Sequence, residues 1–461
     1  MFGKKKAKNS DKIGLPRLLQ WQSSTISQSC NVLALGYFQI YCTDTLYLDP
    51  QKLGILLILS KIFDAVTDLC AGYIVDHTNT RWGRGRPYEL AHIGLWLCTW
   101  LMFSCPSEWS TTIKYIWVFL LYTTINGVFL TLLNANDVVY MVRAFNHQQI
   151  VRLNSYGGII TSIAAVVFNI LFPTMVATLT PQAGGWSKLF AIFAIPLTLI
   201  SLIRFLTVKE IYQVDVSAQK EQPKFKDSMK ALVQNKYLLI VAAILLCINF
   251  VTNMGIGVYY YKYIVGNIGL QSIASVLMVV VLPIMFVFPK LSKKISITKL
   301  MAMGYCFSLA GGIIVFLSGG KLVPLMVGSV VSAMGSAPTS YLFPVLQIAL
   351  ADYNEWKGHE RMEGTMGSVI GFAKRVGGTI GAGVGGIALG LAGYDAALAV
   401  MPDAALTLIA VLNSLVPAAI YGVAAIIMYR MGLDKQLPQI QKDLSEMRAA
   451  ETAPAQTDAP Q

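Results

Sequence analysis

A chain of 461 residues that is 55% hydrophobic and 13% charged lies far from the roughly one-quarter charged content of soluble globular domains, which excludes a soluble protein and leaves no room for a separate soluble domain. The net charge of +12 does not point to nucleic acid, because the basic residues form short clusters between apolar runs. Seven cysteines without a Cys-x-x-Cys pair and four dispersed histidines argue against a metal or redox centre. With no haem or nucleotide motif, an enzyme is not expected.

A spanning helix takes about 20 mostly apolar residues. The N-tail, residues 1–18, is basic (Lys4, Lys5, Lys6, Lys8, Lys12) and runs into a long span without a cleavage site, so no removed signal peptide is expected. In chain order, apolar runs predict spans at 19–42, 53–75, 88–108, 113–140, 155–182 and 187–207, then 237–264, 268–289, 297–318, 322–350, 365–393 and 403–430. The second loop (Arg81, Arg84, Arg86), the fourth (Arg143, Arg152) and the eighth (Lys290, Lys293, Lys294) are basic. The odd loops hold mostly single lysines: Lys52, Lys114, Lys188 and Lys321. By the positive-inside bias, both termini face the cytoplasm of a cell with this inner-membrane protein.

The loop 208–236, carrying Lys220, Lys224, Lys226, Lys230 and Lys236, divides an N-terminal six-helix bundle (19–207) from a C-terminal one (237–430). In the tail 431–461, Leu437, Ile440, Leu444 and Met447 have helical spacing and predict an amphipathic helix on the membrane face. The Ala-, Pro-, Thr- and Gln-rich run after Ala449 is expected to be disordered.

The ionisable residues inside these runs carry the chemistry. Asp64 and Asp68, four apart in the second span, share one helix face. Each costs about 2.5–3.5 kcal/mol near a helix centre, a cost that a bound cation would offset. Lys61, three residues before Asp64, offers a structural alternative as an internal partner. Thr131 and Asn134 on the fourth span add neutral oxygens suited to a hard cation. Asp137, near the end of that span, reads either as a further site acid or as a partner of a loop arginine. Lys374 and Arg375 interrupt the glycine-rich eleventh span and need acidic partners, Asp64 and Asp68 being candidates. The glycines around them (Gly377, Gly378, Gly381, Gly383, Gly385, Gly386) read as close-packing positions. Asn249 and Asn253 set two amides on one face of the seventh span, for substrate or for helix pairing. Tyr259, Tyr260, Tyr261 and Tyr263 read as interface-belt anchors, Trp96 and Trp100 as packing residues, and the histidines as loop residues.

The stretch Asp64-Ala-Val-Thr-Asp68, then Gly72-Tyr-Ile-Val-Asp76, then Arg81-Trp-Gly-Arg84-Gly-Arg86-Pro87 resembles the signature of the glycoside-pentoside-hexuronide:cation symporter family, typified by melibiose permease, within the major facilitator superfamily. A second match is Asp352-Tyr-Asn-Glu355-Trp-Lys357, then Arg361-Met-Glu363-Gly364. The resemblance implies a major facilitator fold, twelve transmembrane helices in two six-helix bundles. It implies a cation site at Asp64, Asp68, Thr131 and Asn134, and places the family's eleventh-helix lysine on Arg375. It implies a substrate set that includes Gln28, Asn134, Asn249, Asn253 and Arg375. It also implies a gating network: Lys61, Gly72, Asp76, Arg81, Arg84 and Arg86, with Asp352, Glu355, Arg361 and Glu363 on the other half. Departures are clear. Where the family type has sugar-binding acids this chain has Gln28 and Asn134, its stacking tryptophan falls on Val138, and its fifth-helix arginine on Gly158.

The expected function is therefore a cation-coupled secondary symporter, driven by Na+ or H+ and free of other cofactors. It would import a small carbohydrate or glycoside by alternating access and act as a monomer in the bilayer, without nucleic acid. The alternative is a transporter or flippase of amphiphiles such as lysolipids on the same fold, which the missing galactoside-binding residues allow.

Overall fold

A computed structural model describes residues 13–78, 80–211, 235–281, 291, 294–358, 363–398 and 400–452. Among these there are no β-strands. The helices are α1 (Leu15–Leu35), α2 (Phe38–Asp44), α3 (Pro50–His77), α4 (Ala91–Met102), α5 (Thr111–Thr123), α6 (Thr131–Ala144), α7 (His147–Leu179), α8 (Gly185–Thr207), α9 (Lys236–Thr252) and α10 (Ile256–Tyr259). They continue with α11 (Gln271–Val281), α12 (Ile297–Leu317), α13 (Leu322–Trp356), α14 (Glu363–Leu391), α15 (Asp403–Ala410), α16 (Val416–Arg430) and α17 (Leu433–Thr452). Seven candidate spans are long and apolar enough to cross a membrane among the described residues. Most of the predicted N-tail and linker, the end of the eighth span after Val281, and the tail after Thr452 lie outside the described residues.

Local chemistry sets the helix ends. Asp49 caps α3, its Oδ1 accepting from the N–H groups of Gln51 (2.7 Å) and Lys52 (3.2 Å) with Pro50 at the first turn. Asn146 and Gln149 form a reciprocal capping box at the start of α7. The third span is shorter than predicted: a 3₁₀ turn at Arg86–Leu90 precedes α4, which stops at Met102, ahead of Pro106. Wide π-turns occupy Thr124–Leu130 between α5 and α6, Tyr260–Ile264 after α10, and Val411–Leu415 between α15 and α16. Such turns mark functional sites often enough to direct attention to what they present.

The residues group into two compact units. The first comprises Met1–Gln219, Met254–Val276 and Ala382–Ala410. Its centre is a polar ladder between α1 and α4: Ser24 Oγ lies 3.3 Å from His92 Nε2, Trp96 Nε1 donates to Ser27 Oγ at 2.8 Å, and Asn31 Nδ2 donates to Thr99 Oγ1 at 2.9 Å. The separation of seven from residue 24 to 31 matches that from 92 to 99, so the rungs repeat at helical spacing. Such rungs bind helices together where lipid removes the hydrophobic drive. Beside it Tyr41, Phe103, Trp186, Phe190, Phe172 and Phe168 stack as one aromatic column. Within this unit α3 and the C-terminal part of α14 meet backbone to backbone. A Cβ built on Gly54 would lie 2.5 Å from the Gly383 carbonyl oxygen, and one on Gly386 would lie 2.8 Å from that of Pro50.

The second unit comprises Lys220–Asn253, Leu277–Gly381 and Val411–Gln461. Its core joins α9, α12, α13 and α16 through buried Tyr237, Leu245, Tyr305, Leu346, Leu350 and Met428. Here Gly377 and Gly381 of α14 face α9 with no space for a side chain, a Cβ falling 2.1 and 2.0 Å from the carbonyl oxygens of Leu246 and Phe250. The glycine run packs, as its spacing predicts. The amphipathic tail helix folds onto the same unit through buried Leu433, Ile440 and Leu444, with Met447 outward. Asp434 accepts from the Thr298 N–H at 3.1 Å and Asp443 from Trp356 Nε1 at 2.8 Å.

Candidate functional site

The carboxylate of Asp64 meets the lysine one turn earlier on α3: Lys61 Nζ lies 2.7 Å from its Oδ2. The same ammonium donates to Asn126 Oδ1 at 3.3 Å and lies 5.7 Å from the centre of the Tyr122 ring. Asn126 belongs to the π-turn, and its carbonyl oxygen accepts both the Thr131 N–H and, at 3.0 Å, Thr131 Oγ1. Thr131 therefore shapes the turn that presents Asn126. Gly127 follows; a Cβ there would stand 3.0 Å from Asp64 Oδ1 and 3.3 Å from Thr67 Oγ1. A side chain there would press on the carboxylate. Asp68, Gly72 and Asp76 lie farther along α3, the side chains of the two acids being outside the described residues.

Three residues past Thr131, Asn134 is exposed and its Oδ1 accepts from Gln28 Nε2 at 2.8 Å. The positions where the family type has acids thus form a neutral amide pair. One and two turns down α1 lies a cavity of about 360 Å³, lined by Trp21, Gln22 and Thr25, by Asp137 of α6, and by Gly158, Thr161, Ser162 and Ala165 of α7. A Cβ on Gly158 would meet nothing within 4 Å, so the missing arginine leaves open space. Thr161 Oγ1 donates to Gln22 Oε1 at 3.1 Å. Hydroxyls, an amide, a carboxylate and an indole lining one cavity suit a polyhydroxylated ligand.

Asp137 pairs with a helix cation, not a loop arginine: Arg204 Nη2 of α8 lies 2.6 Å from its Oδ1. Arg204 is 2% exposed, with its guanidinium carbon 3.2 Å from the centre of the Trp21 ring, and its Nε lies 3.5 Å from Oε1 of buried Glu89. A cation inside the apolar run around Ile203 was itself a readable signal. His92 departs from the loop assignment: it is fully buried, its Nδ1 3.1 Å from Glu89 O, because the 3₁₀ turn carries it into α4.

The loop after α3 binds differently from a side-chain charge cluster. Three successive backbone N–H groups, of Arg84, Gly85 and Arg86, donate to the carboxylate of Glu210 at 3.1, 2.8 and 3.0 Å. Arg86 Nε donates to Phe205 O at 2.6 Å, while the Arg81 guanidinium carbon lies 5.2 Å from the centre of the Trp82 ring. Glu210 is the residue that sequence alone did not single out.

A second cluster was also missed. Asp44, at the C-terminal end of α2 where the helix dipole disfavours a carboxylate, is 6% exposed and receives Lys262 Nζ, Tyr394 OH and Tyr263 OH, the last at 2.6 Å. Thr43 links it onward to Tyr259 OH at 3.0 Å. The tyrosines are consequently not belt residues: Tyr259 and Tyr260 are each 1% exposed and Tyr261 9%.

In the second unit, Asn249 and Asn253 turn their amides back to the carbonyls of Leu245 (2.8 Å) and Asn249 (2.9 Å). Lys374 Nζ lies 4.5 Å from the centre of the Phe343 ring, and Arg375 is exposed on α14. Asp352 is buried and Glu355 half-buried near the end of α13, whereas Arg361 and the side chain of Glu363 lie outside the described residues. No group of three metal-ligating His, Cys, Asp or Glu side chains occurs among the described residues.

A model of the MFS/sugar transport protein family matches residues 27–435. The chain belongs to that family. It is a member of the glycoside-pentoside-hexuronide:cation symporters of the major facilitator superfamily, an all-α, multi-pass membrane transporter and not an enzyme. The transporter is 29% identical to the isoprimeverose transporter of Lactiplantibacillus pentosus over 442 residues, 92% of this chain and 90% of that one. It is 25% identical to the uncharacterized symporter YnaJ of Bacillus subtilis, covering 93% and 94% of the two chains. Its fold matches a bacterial homologue of the human lysosomal transporter Spinster at a TM-score of 0.65 and 13% identity, over 92% of this chain and 97% of that one.

Proposed function

We propose that the transporter is a symporter that carries a small sugar or glycoside inward with one coupling cation, Na+ or H+, by alternating access across the inner membrane. Charge alternation supports an orientation with both termini in the cytoplasm, and the monomer suffices. The observation that carries this reading is the adjacency, within one unit, of an intramembrane carboxylate bearing a cation and a polar cavity. The bridge between them is α6, which follows the π-turn facing Asp64 and brings Asn134 and Asp137 to Gln28 and Trp21. Asp64, Asp68, Thr131 and Asn134 form the cation region. Gln28, Asn134 and the α1–α7 cavity form the sugar region. Arg84 and Arg86, held by Glu210, keep the loop after α3 folded as a gate element. Cation binding then favours the sugar-bound state and, by linkage, sugar favours cation binding.

Isoprimeverose, named for one relative, is the first probe. In proteoliposomes with an imposed Na+ or proton gradient, Asp64→Asn is expected to abolish concentrative uptake, about a hundredfold or more, with the protein still monodisperse. Undiminished accumulation by this variant sinks the coupling assignment. Thr161→Val removes one hydroxyl from the cavity and should raise KM about fivefold, the worth of a hydrogen bond of about 1 kcal/mol. An unchanged KM for every glycoside tested, with lysolipid uptake present, would favour the amphiphile reading instead.

A further inference from the structure

The ammonium of Lys61 is a cation seated between a carboxylate oxygen at 2.7 Å and an amide oxygen at 3.3 Å. Two oxygens converging on one charge is what a hard cation seeks. The seat is built rather than incidental. Asn126 Nδ2 donates to Tyr122 O at 2.9 Å, which leaves Oδ1 directed at the lysine. The π-turn that holds Asn126 is stabilised by the Thr131 hydroxyl, and Gly127 keeps the opposite wall of Asp64 free of a side chain. Lys61 and Asp64 are both partly buried, at 24% and 15% side-chain exposure, so water screens the pair only in part.

We propose that Lys61 is a tethered surrogate for the coupling cation: it occupies the Asp64 seat when the ion is absent and must withdraw before the ion binds. The proposal rests on the reading of Asp64 as an ion-binding carboxylate. A resting place for the displaced ammonium is already in reach, because the face of the Tyr122 ring lies 5.7 Å away. Two cations at one carboxylate repel at this separation. Lys61 therefore weakens ion binding and keeps the empty carrier electrically balanced, so that Asp64 never stands as a bare charge in the membrane. No bond is made or broken; the exchange is one cation for another.

The test is ion binding by the purified full-length protein in nanodiscs, with Na+ and Li+ titrated at fixed pH and followed calorimetrically. Lys61→Ala is expected to bind Na+ at least about tenfold more tightly than wild type, including the case in which wild type shows no Na+ binding. Lys61→Arg should remain at the wild-type value. If Lys61→Ala is not monodisperse on size exclusion, Lys61→Gln gives the same readout. Na+ affinity equal to or weaker than wild type in the neutral variant overturns the surrogate role. Asp64→Asn separates the two readings. Should it retain the Na+ affinity of the Lys61→Ala protein when combined with that change, the ion assignment of Asp64 itself fails. Should it lose that affinity while Lys61→Ala shows no gain over wild type, only the surrogate role fails.

Discussion

Arg204→Met is expected to lower the thermal midpoint of the purified transporter more than any other single change considered, corresponding to about 3–5 kcal/mol. The reason is the company Arg204 keeps. Glu89, 1% exposed, faces the guanidinium at 3.5 Å; its other described neighbours are the Asn136 amide at 3.4 Å and the His92 ring, whose Nδ1 lies 4.0 Å from Oε2. Removing the arginine leaves that carboxylate buried without a counter-charge, and a buried ion without its partner costs far more than the pair contributed. Methionine fills the space against Trp21 and Tyr140, so a loss of packing is the smaller part of the effect. The double variant Arg204→Met/Glu89→Gln should recover most of the lost stability, since both charges are then gone together. Equal midpoints for the single and double variants would show that packing, not the ion pair, sets the value.

Asp44→Ala carries the second large expectation. Its carboxylate gathers Lys262 and two tyrosine hydroxyls from segments more than 200 residues distant in sequence. Hydrogen bonds to a charged group contribute about 1.5–3 kcal/mol each. The lysine part is smaller, because Lys262 is 42% exposed and its pairing is screened. Cys42, two residues away and completely buried, reports on this end of the helices. In wild type its modification by a maleimide should be slow. In Asp44→Ala, mapped by peptide mass spectrometry, the rate should rise at least about tenfold, equal to about 1.4 kcal/mol of easier opening. Unchanged labelling of Cys42 would mean that the cluster does not hold this end closed.

Much of this was legible before any coordinates. Apolar runs located the helices, as with the ninth span, predicted at 297–318 and observed at Ile297–Leu317. The i, i+3 spacing of Lys61 and Asp64 anticipated their pairing, and the tail periodicity located a helix, though its buried face, Ile440 and Leu444 with Leu437 partly buried, packs on the second unit where a membrane face was expected. What stayed hidden required knowing which helices are neighbours. Asp44 reads as an ordinary loop acid until Tyr263 and Tyr394 are brought beside it. Nothing in the spacing pairs Asn134 with Gln28, whose amide comes within 2.8 Å of it. Periodicity gives the face of a helix but not the partner opposite it, so the tyrosines after α10 read as belt residues. Backbone donors were equally invisible, which is why the loop's arginines drew notice and the Glu210 carboxylate held by three N–H groups did not.

The glycine contact between α3 and the end of α14 has a mechanical consequence. Where Gly54 faces Gly383 the peptide atoms of the two helices touch, and Ile58 and Ile387 seat against the two glycines: a Cβ on Gly383 would lie 2.3 Å from the Ile58 side chain and one on Gly54 3.0 Å from that of Ile387. Knobs seated in holes resist sliding, because each step forces a rotamer to change. Ile58 and Ile387 are such knobs, each seated in the space that a glycine leaves. The contact can therefore work as a detent, holding its two helices at fixed separation and in one register, on the same helix that carries Lys61 and Asp64.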